Sequence, residues 1–267
     1  MHDTQKEIVA GGIKVILTLD LGNTNLFIGM CDDERVIETY RTFTDTRKSG
    51  DEYAGILQNF LKKHIESGSI EGVICASVVP SLNSALKMAI KKLFNQDVIF
   101  VQPGLKTGLP IRIDNPNETG ADLVCDAVAA LNKYGPKTLI VDMGTATKIL
   151  VIDDKGAFVG GVISAGLKIS MEALAGKAAN LSETSLEMPN KLIGKNTIDC
   201  INSGIVIGSK LMIQSFVSEM EKELGYSTNR VITGGFAHII NDLEGFIYDF
   251  DLVLDGLRVI YLKNKHE

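Results

Sequence analysis

The sequence predicts an α/β protein made of two copies of one unit. Three observations predict it. A short apolar run ending in Asp-x-Gly occurs twice, as Ile16-Leu17-Thr18-Leu19-Asp20-Leu21-Gly22-Asn23-Thr24 and as Leu139-Ile140-Val141-Asp142-Met143-Gly144-Thr145-Ala146-Thr147. Each copy is followed by the same strand, acidic turn and strand signals. Asp20 and Asp142 stand 122 positions apart (142 − 20), close to half of the 267 residues.

In the first copy, Asn25 to Met30 reads as a second strand, Asp32-Asp33-Glu34 as a turn and Val36 to Arg41 as a third strand. Residues 51–64 carry apolar side chains at 53, 56, 57, 60 and 61, which is helical spacing. Gly72 to Val79 reads as a buried strand stopped by Pro80, Ser81 to Phe94 as a helix and Val98 to Val101 as a strand. This β-β-β-α-β-α-β order is that of the ribonuclease-H-like unit. Pro103 to Pro116 holds three of the six prolines and reads as an extended connector.

The second copy begins with a helix from Gly120 to Tyr134, with Thr119 as its expected cap and Asp122 in the first turn, where an acid suits the helix dipole. Lys148 to Ile152 and Ala157 to Ile163 read as strands around the turn Asp153-Asp154-Lys155-Gly156. Leu167 to Leu181 and Thr197 to Leu224 read as mostly helical, and Val231-Ile232-Thr233 as a late strand ending in Gly234-Gly235. Phe236 to Asn241 is expected to start a helix, and residues 255–265 close the chain. Domains are drawn at 1–119 and 120–267.

Composition narrows the function classes. At 45% hydrophobic and 22% charged, the chain has the means to build a core. No apolar run is expected to cross a bilayer, and the N-terminus reads as neither signal nor transit peptide. The net charge of −6 and the lack of a basic cluster argue against a nucleic-acid partner. Cys31, Cys75, Cys125 and Cys200 show no CxxC spacing and are expected to be small buried hydrophobes. The expected compartment is a reducing cytoplasm.

Two Asp-x-Gly turns suit nucleotide phosphates. Glycine lets backbone approach a phosphate closely, and successive N–H groups can form an anion-binding concavity. Asn23, Thr24, Thr145 and Thr147 add neutral donors, and Asp20 and Asp142 can bind hydrated Mg²⁺ or another cation through oxygen. Two such turns across a cleft would clamp an ATP polyphosphate. The plainer alternative is a pair of hairpin aspartates, but a repeated pair favours phosphate. There is no P-loop and no Rossmann fingerprint. Thr233-Gly234-Gly235 and Gly160-Gly161 followed by Gly166 are places where backbone can lie flat against a ligand, each weak alone. Asp122, after Gly120, is a candidate to take the proton of an alcohol in phosphoryl transfer, with Asp126 its competitor one turn on.

Together these motifs resemble the type III pantothenate kinases of the acetate and sugar kinase/Hsp70/actin superfamily. Asp20-Leu21-Gly22-Asn23-Thr24-Asn25 resembles the first phosphate motif of that family and Asp142-Met143-Gly144-Thr145-Ala146-Thr147 the second. Asp114-Asn115-Pro116 with Gly120-Ala121-Asp122 resembles the pantothenate and base segment. Ser77-Val78-Val79-Pro80, Gly160 to Ile163, Gly194-Lys195-Asn196-Thr197 and Thr233-Gly234-Gly235 follow in the family's order.

The resemblance implies duplicated actin-like ATPase domains with a nucleotide cleft between them. It implies ATP-dependent phosphorylation of pantothenate to 4′-phosphopantothenate, the first step of coenzyme A synthesis. Asp122 would accept the proton. Asp20, Leu21, Gly22, Asn23, Thr24, Asn25, Leu26 and Phe27 would hold ATP, with Mg²⁺ on Asp20, and Thr145, Thr233, Gly234 and Gly235 would contact the nucleotide. Gly120, Ala121, Asp122 and Leu123 would contact pantothenate, with Thr197 reaching in from the other subunit of a homodimer. Asp142 would bind a monovalent cation, K⁺ or NH₄⁺.

The departures from the family pattern fall in specific places. Leu123 stands where the family carries an arginine that touches substrate, and leucine offers no charge to a carboxylate. Lys148 stands where a threonine is usual, and its ammonium is a candidate to replace the monovalent cation; the plainer alternative is an outward strand lysine. Ala165-Gly166 replaces Pro-Gly, His238 falls where proline is common and Ile113 where some members carry tyrosine. These changes leave two alternatives beside the pantothenate kinase: a non-catalytic ATP-binding or regulatory paralogue, and a kinase for another small alcohol.

Overall fold

The computed structural model describes residues 14–67, 69–177, 184–240 and 242–265. Its contacts group the chain into two units. Unit 1 takes the chain up to Gly108, then Asn117–Ala129, then Val253 onward; unit 2 takes Leu109–Pro116 and Ala130–Leu252. The sequence boundary between 119 and 120 therefore falls inside a stretch that packs with unit 1, and the C-terminal helix returns to unit 1 as well.

Unit 1 holds a five-stranded sheet in the order β3-β2-β1-β4-β5. Its strands are β1 (Val15–Leu21), β2 (Asn25–Cys31), β3 (Val36–Phe43), β4 (Ile70–Ser77) and β5 (Val98–Phe100). β1 pairs antiparallel with β2 and parallel with β4. The alternate residues Leu17, Leu19 and Leu21 of β1 are buried with Tyr53, Leu57 and Leu61 of α1 (Gly50–Ser67) and Leu86, Ala89 and Ile90 of α2 (Asn83–Phe94). The period of two in the strand puts Thr18 and Asp20 on the opposite face. There Gly29 and Gly72 make room for helix α7 (Leu252–Asn264): a Cβ at either would strike Leu254 or Tyr261.

Unit 2 repeats the plan in the order β10-β9-β6-β7-β8. The strands are β6 (Thr138–Met143), β7 (Ala146–Ile152), β8 (Phe158–Ala165), β9 (Asn229–Thr233) and β10 (Phe246–Tyr248). Position for position, β6 corresponds to β1 and β10 to β5. Leu139, Val141 and Met143 face a core that includes Leu167 and Met171 of α4 (Leu167–Lys177), Ile201 of α5 (Thr197–Asn202) and Ile213 and Val217 of α6 (Gly208–Leu224). Asp142, again by alternation, points to the other face. Helix α3 (Ala121–Tyr134) carries the chain from the first unit to the second.

Local chemistry explains the boundaries. Ser49 and Glu52 form a reciprocal cap at the start of α1, with the Ser49 N–H donating to Glu52 Oε2 at 2.8 Å and the Glu52 N–H to Ser49 Oγ at 3.3 Å. The β2–β3 and β7–β8 turns are each set by an aspartate that accepts backbone N–H groups ahead of it. Asp32 Oδ1 takes those of Glu34 and Arg35, each at 2.7 Å, and Asp153 Oδ1 those of Lys155 at 2.9 Å and Ala157 at 2.8 Å.

Several expectations are corrected. The helix expected from Phe236 is a single 3-10 turn, Ala237–Ile239, because the backbone leaves the helical region at Ile240, with φ −109° and ψ 75°. Strand β10 has no counterpart in the sequence reading; it is only three residues long. Thr119 does not cap α3: among the described residues its buried Oγ1 has no hydrogen-bond partner, and Gly120 O accepts the Val124 N–H. The part of the expected helix 167–181 beyond Lys177 lies outside the described residues. Cys31, Cys75 and Cys125 are buried as expected, but Cys200 is exposed. The helical run 197–224 is long and apolar enough, by length and composition, to cross a bilayer, which the sequence reading did not expect. Its inner side is occupied by the core of unit 2, where Ile201, Val206, Ile213 and Val217 are buried.

Candidate active site

The first Asp-x-Gly turn closes the β1–β2 hairpin. Asp20 lies opposite Phe27 and Leu21 opposite Leu26. The Gly22 N–H donates to Asn25 O at 3.0 Å, and a Cβ at Gly22 would press on that same oxygen at 3.2 Å. The end of β3 ties the turn down: Thr44 Oγ1 donates to Gly22 O at 2.7 Å and the Thr44 N–H to Thr24 O at 2.9 Å. Asn23 and Asn25 are exposed and Thr24 half-buried. The side chains of Leu21 and Leu26 belong to the core, so only their backbone can serve a nucleotide. Phe27 is buried beneath the Arg41 guanidinium, 3.7 Å from its ring centroid. Arg41, on β3 and directly paired with Phe27, thus puts a positive charge two strands from Asp20 in the same register. The sequence reading missed it, and the duplicated hairpin register gave no signal, since the counterpart of Arg41 in the second copy is Ile163.

The second turn is tighter. Asp142 lies opposite Lys148, Met143 opposite Thr147, and the Gly144 N–H donates to Ala146 O at 3.1 Å. Two distant glycines pack on it. A Cβ at Gly234, which has φ +95°, would lie 2.6 Å from Asp142 Oδ1 and from the Met143 backbone; a Cβ at Gly166 would lie 2.2 Å from Thr145 O. Thr233 pairs with Asp142 across the parallel β6–β9 ladder. The structure therefore gathers Asp142, Thr145, Thr233 and Gly234 at one corner of unit 2, with the Thr145 side chain exposed at the tip. His238 folds back so that Nδ1 meets Gly235 O at 2.9 Å.

Lys148 is not an outward lysine. Its Nζ sits 2.9 Å from Asp142 Oδ2, and the two side chains keep only 16% and 13% of their exposure. A separate monovalent cation on Asp142 does not fit these residues, because the carboxylate already carries an ammonium. Mg²⁺ at the first turn does fit the donor set. Asp20 is half-buried, and Asn23 and Thr24, with side-chain oxygens, follow it in the same turn; Mg²⁺ is commonly held by one or two carboxylates plus substrate phosphates.

Asp122 occupies the first turn of α3, in unit 1 with Asp20. A Cβ at Gly120 would lie 2.5 Å from Asp122 Oδ1, so glycine is what lets the carboxylate lie back over the helix start. Burial pushes the Cys125 thiol well up, and the negative charges of Asp126, Asp20 and Asp122 push it further. Both Asp20 and Asp122 are thus in electrostatic reach of one buried sulfur. Asp126 is 2% exposed whereas Asp122 is half-buried, which leaves Asp122 the accessible acid of the two. Ala121 and Leu123 are half-buried beside it, and Asp114 and Asn115 are exposed in unit 2.

Thr197 is exposed at the start of α5. Asn196 caps that helix, its Oδ1 accepting the Asp199 N–H at 2.9 Å. Gly194, Asn196, Thr197, Cys200 and Ile205 line a cavity of about 660 Å³ in unit 2.

A sequence model of type III pantothenate kinase matches residues 16–219. The chain belongs to the type III pantothenate kinase family. A relative of that name from an Exiguobacterium species is 41% identical over 254 residues, covering 94% of this chain and all of the relative. One from Streptomyces griseus is 38% identical over 261 residues, covering 94% of this chain and 98% of the relative. Among solved structures, a conserved Baf family protein from Campylobacter jejuni superposes with TM-score 0.59 at 18% identity, covering 94% of this chain and all of that one. Component A of the (R)-2-hydroxyglutaryl-CoA dehydratase of Acidaminococcus fermentans does so with TM-score 0.52 at 14% identity, covering 93% and 96%. At these identities the structural likeness is one of fold: two ribonuclease-H-like units of the actin-like ATPase type.

Proposed function

We propose that this chain phosphorylates pantothenate to 4′-phosphopantothenate with ATP, the first step of coenzyme A synthesis, and that Asp122 is its general base. Family membership supports the reaction. The observation that carries the base is the position of Asp122, an accessible first-turn acid held over Gly120 in the same unit as Asp20.

The first turn offers backbone N–H groups and neutral side chains to ATP phosphates, and the Thr233–Gly235 backbone offers a flat surface to the adenosine part. Bound Mg²⁺ neutralises charge that develops on the phosphates. The Asp122 carboxylate accepts the proton of the substrate hydroxyl as that oxygen bonds to the γ-phosphorus. The bond from phosphorus to the β,γ-bridging oxygen breaks, ADP leaves with its electron pair, and Asp122 returns the proton to solvent. Removing a general base typically costs about 10²–10⁴-fold in rate. ADP release with ATP, Mg²⁺ and pantothenate should fall by at least a hundredfold in Asp122→Asn at unchanged thermal stability. A variant as fast as the parent would remove Asp122 from the role.

Leu123 motivates a second reading, a kinase for another small alcohol. Loss of one charge-assisted hydrogen bond is worth about 1.5–3 kcal/mol, so pantothenate is expected to bind weakly. Saturation only at millimolar pantothenate fits the first reading. No turnover with pantothenate but turnover with another alcohol fits the second. The proposed setting is a homodimer in the cytoplasm. Ile169, Leu174, Ile193, Ile198 and Leu211 are exposed on and around α4, α5 and α6, and a dimer interface would cover such apolar surface.

A further inference from the structure

The two halves repeat the same hairpin, yet they place different residues opposite their aspartates. Phe27 faces Asp20 and Lys148 faces Asp142. The second turn is therefore the one with a positive charge built into its strand. Lys148 Nζ lies 2.9 Å from Asp142 Oδ2, and both side chains are more than four-fifths buried. Gly234 closes on the other carboxylate oxygen, since a Cβ there would lie 2.6 Å from Oδ1. Ile163, next across the sheet from Lys148, brings no charge, and Thr233 on the other side of Asp142 brings a neutral hydroxyl. Burying an ammonium is costly unless it is paired. Here the pairing is with the acid of a turn on which Gly166 and Gly234 pack closely.

We propose that the Lys148 ammonium is an internal substitute for a monovalent cation at the Asp142 turn, so that ATP binding and turnover are independent of K⁺ and NH₄⁺. The proposal rests on the reading of this corner as part of the ATP site. An unneutralised carboxylate beside a polyphosphate would repel it. A single positive charge removes that repulsion, and a tethered one is present at full occupancy whatever the salt. Lysine also fixes the position of its charge through a covalent stem, which a diffusing ion does not.

The test is a salt series on the parent protein and on Lys148→Thr, each in Mg²⁺ with tetramethylammonium as the background cation. ATP affinity is read by calorimetry, and thermal unfolding is followed in the same buffers. The parent should bind ATP with the same Kd, within twofold, in tetramethylammonium, Na⁺, K⁺ and NH₄⁺. Lys148→Thr should bind at least tenfold more weakly in tetramethylammonium and recover in K⁺ or NH₄⁺. A tenfold tightening of the parent by K⁺ or NH₄⁺ would overturn the proposal, and this arm does not depend on the variant folding. So would a folded variant with parental affinity in every salt, or one whose loss no cation restores. A parent that binds no ATP in any salt would overturn the nucleotide reading itself, a result distinct from binding that tracks K⁺.

Discussion

Gly120 lies directly under the carboxylate of Asp122. A Cβ there would come within 2.5 Å of Asp122 Oδ1 and touch little else, the next nearest atoms being 3.7 Å away. The clash is with the far end of a side chain rather than with backbone. Gly120→Ala should therefore move the carboxylate without unfolding the helix. A displacement of about 1 Å at a reacting group can cost on the order of 10²-fold in rate. We expect kcat to drop at least tenfold while the unfolding temperature moves by no more than a few degrees. An unchanged kcat would show that the carboxylate position is not what the glycine protects.

Gly234 is a different case. Its φ of +95° is in the left-handed region, and an added Cβ would meet the Met143 backbone as well as Asp142 Oδ1 at 2.6 Å. Backbone cannot swing aside as a carboxylate can. Gly234→Ala should lower stability by about 1–3 kcal/mol and weaken ATP binding, readable together by denaturant titration and calorimetry. Gly225 also has positive φ, +77°, but among the described residues an added Cβ there would meet no atom within 4 Å. Gly225→Ala should cost stability alone, and a loss of ATP affinity there would undo the distinction.

The thiols should report their environment. Burial pushes Cys31 up to about 12, Cys75 and Cys125 are pushed well up for the same reason, and Cys200 is exposed. Reaction with a thiol-specific disulfide reagent at pH 8 should titrate one cysteine rapidly in the native protein and all four in denaturant. Fast reaction of a second thiol would contradict the packing around β1 and α3. Attachment at Cys200 is also expected to fill part of the cavity beside Thr197.

Acid stability should depend on Glu221. The Arg230 guanidinium, at 2.6 Å, and then the hydroxyl and N–H of Thr228 hold its carboxyl below the usual value of 4.5. A carboxyl with a lowered pKa in the folded state binds fewer protons there than in the unfolded chain. Its stabilisation is complete above the unfolded value and is lost as pH falls through the folded one. The unfolding temperature of the parent should therefore decline below about pH 4.5 more steeply than that of Glu221→Gln. Parallel curves would place the acid sensitivity elsewhere.

Much of this protein was legible in its sequence because the information is local. Asp20-Leu21-Gly22 and Asp142-Met143-Gly144 each end a strand and begin a turn, and the same acidic turn follows each hairpin. Periods of two and 3.6, with Gly, Pro and Asp at the breaks, express steric preferences of a few neighbouring residues. That repetition made the three leading strands of each half legible. It would have revealed β10 too, had β5 been carried across as its counterpart. The helix expected at Phe236 failed for the opposite reason: the chain leaves the helical region at Ile240, whose side chain is buried in the core of unit 2 among residues far away in the sequence.

The tertiary structure alone decided which distant groups meet. It placed Gly166 and Gly234 against the Asp142 turn, returned α7 to the first unit, and buried Asp126 while leaving Asp122 within reach of solvent. Lys148 shows the division clearly. The sequence placed it just beyond the second turn, but strand register and sheet packing set its ammonium on the Asp142 carboxylate instead of in water. Composition and periodicity fix which face a residue occupies. What lies across from it is fixed by pairing between segments that are far apart in the chain or joined by a turn of particular length, and those contacts exist only once the sheet has formed.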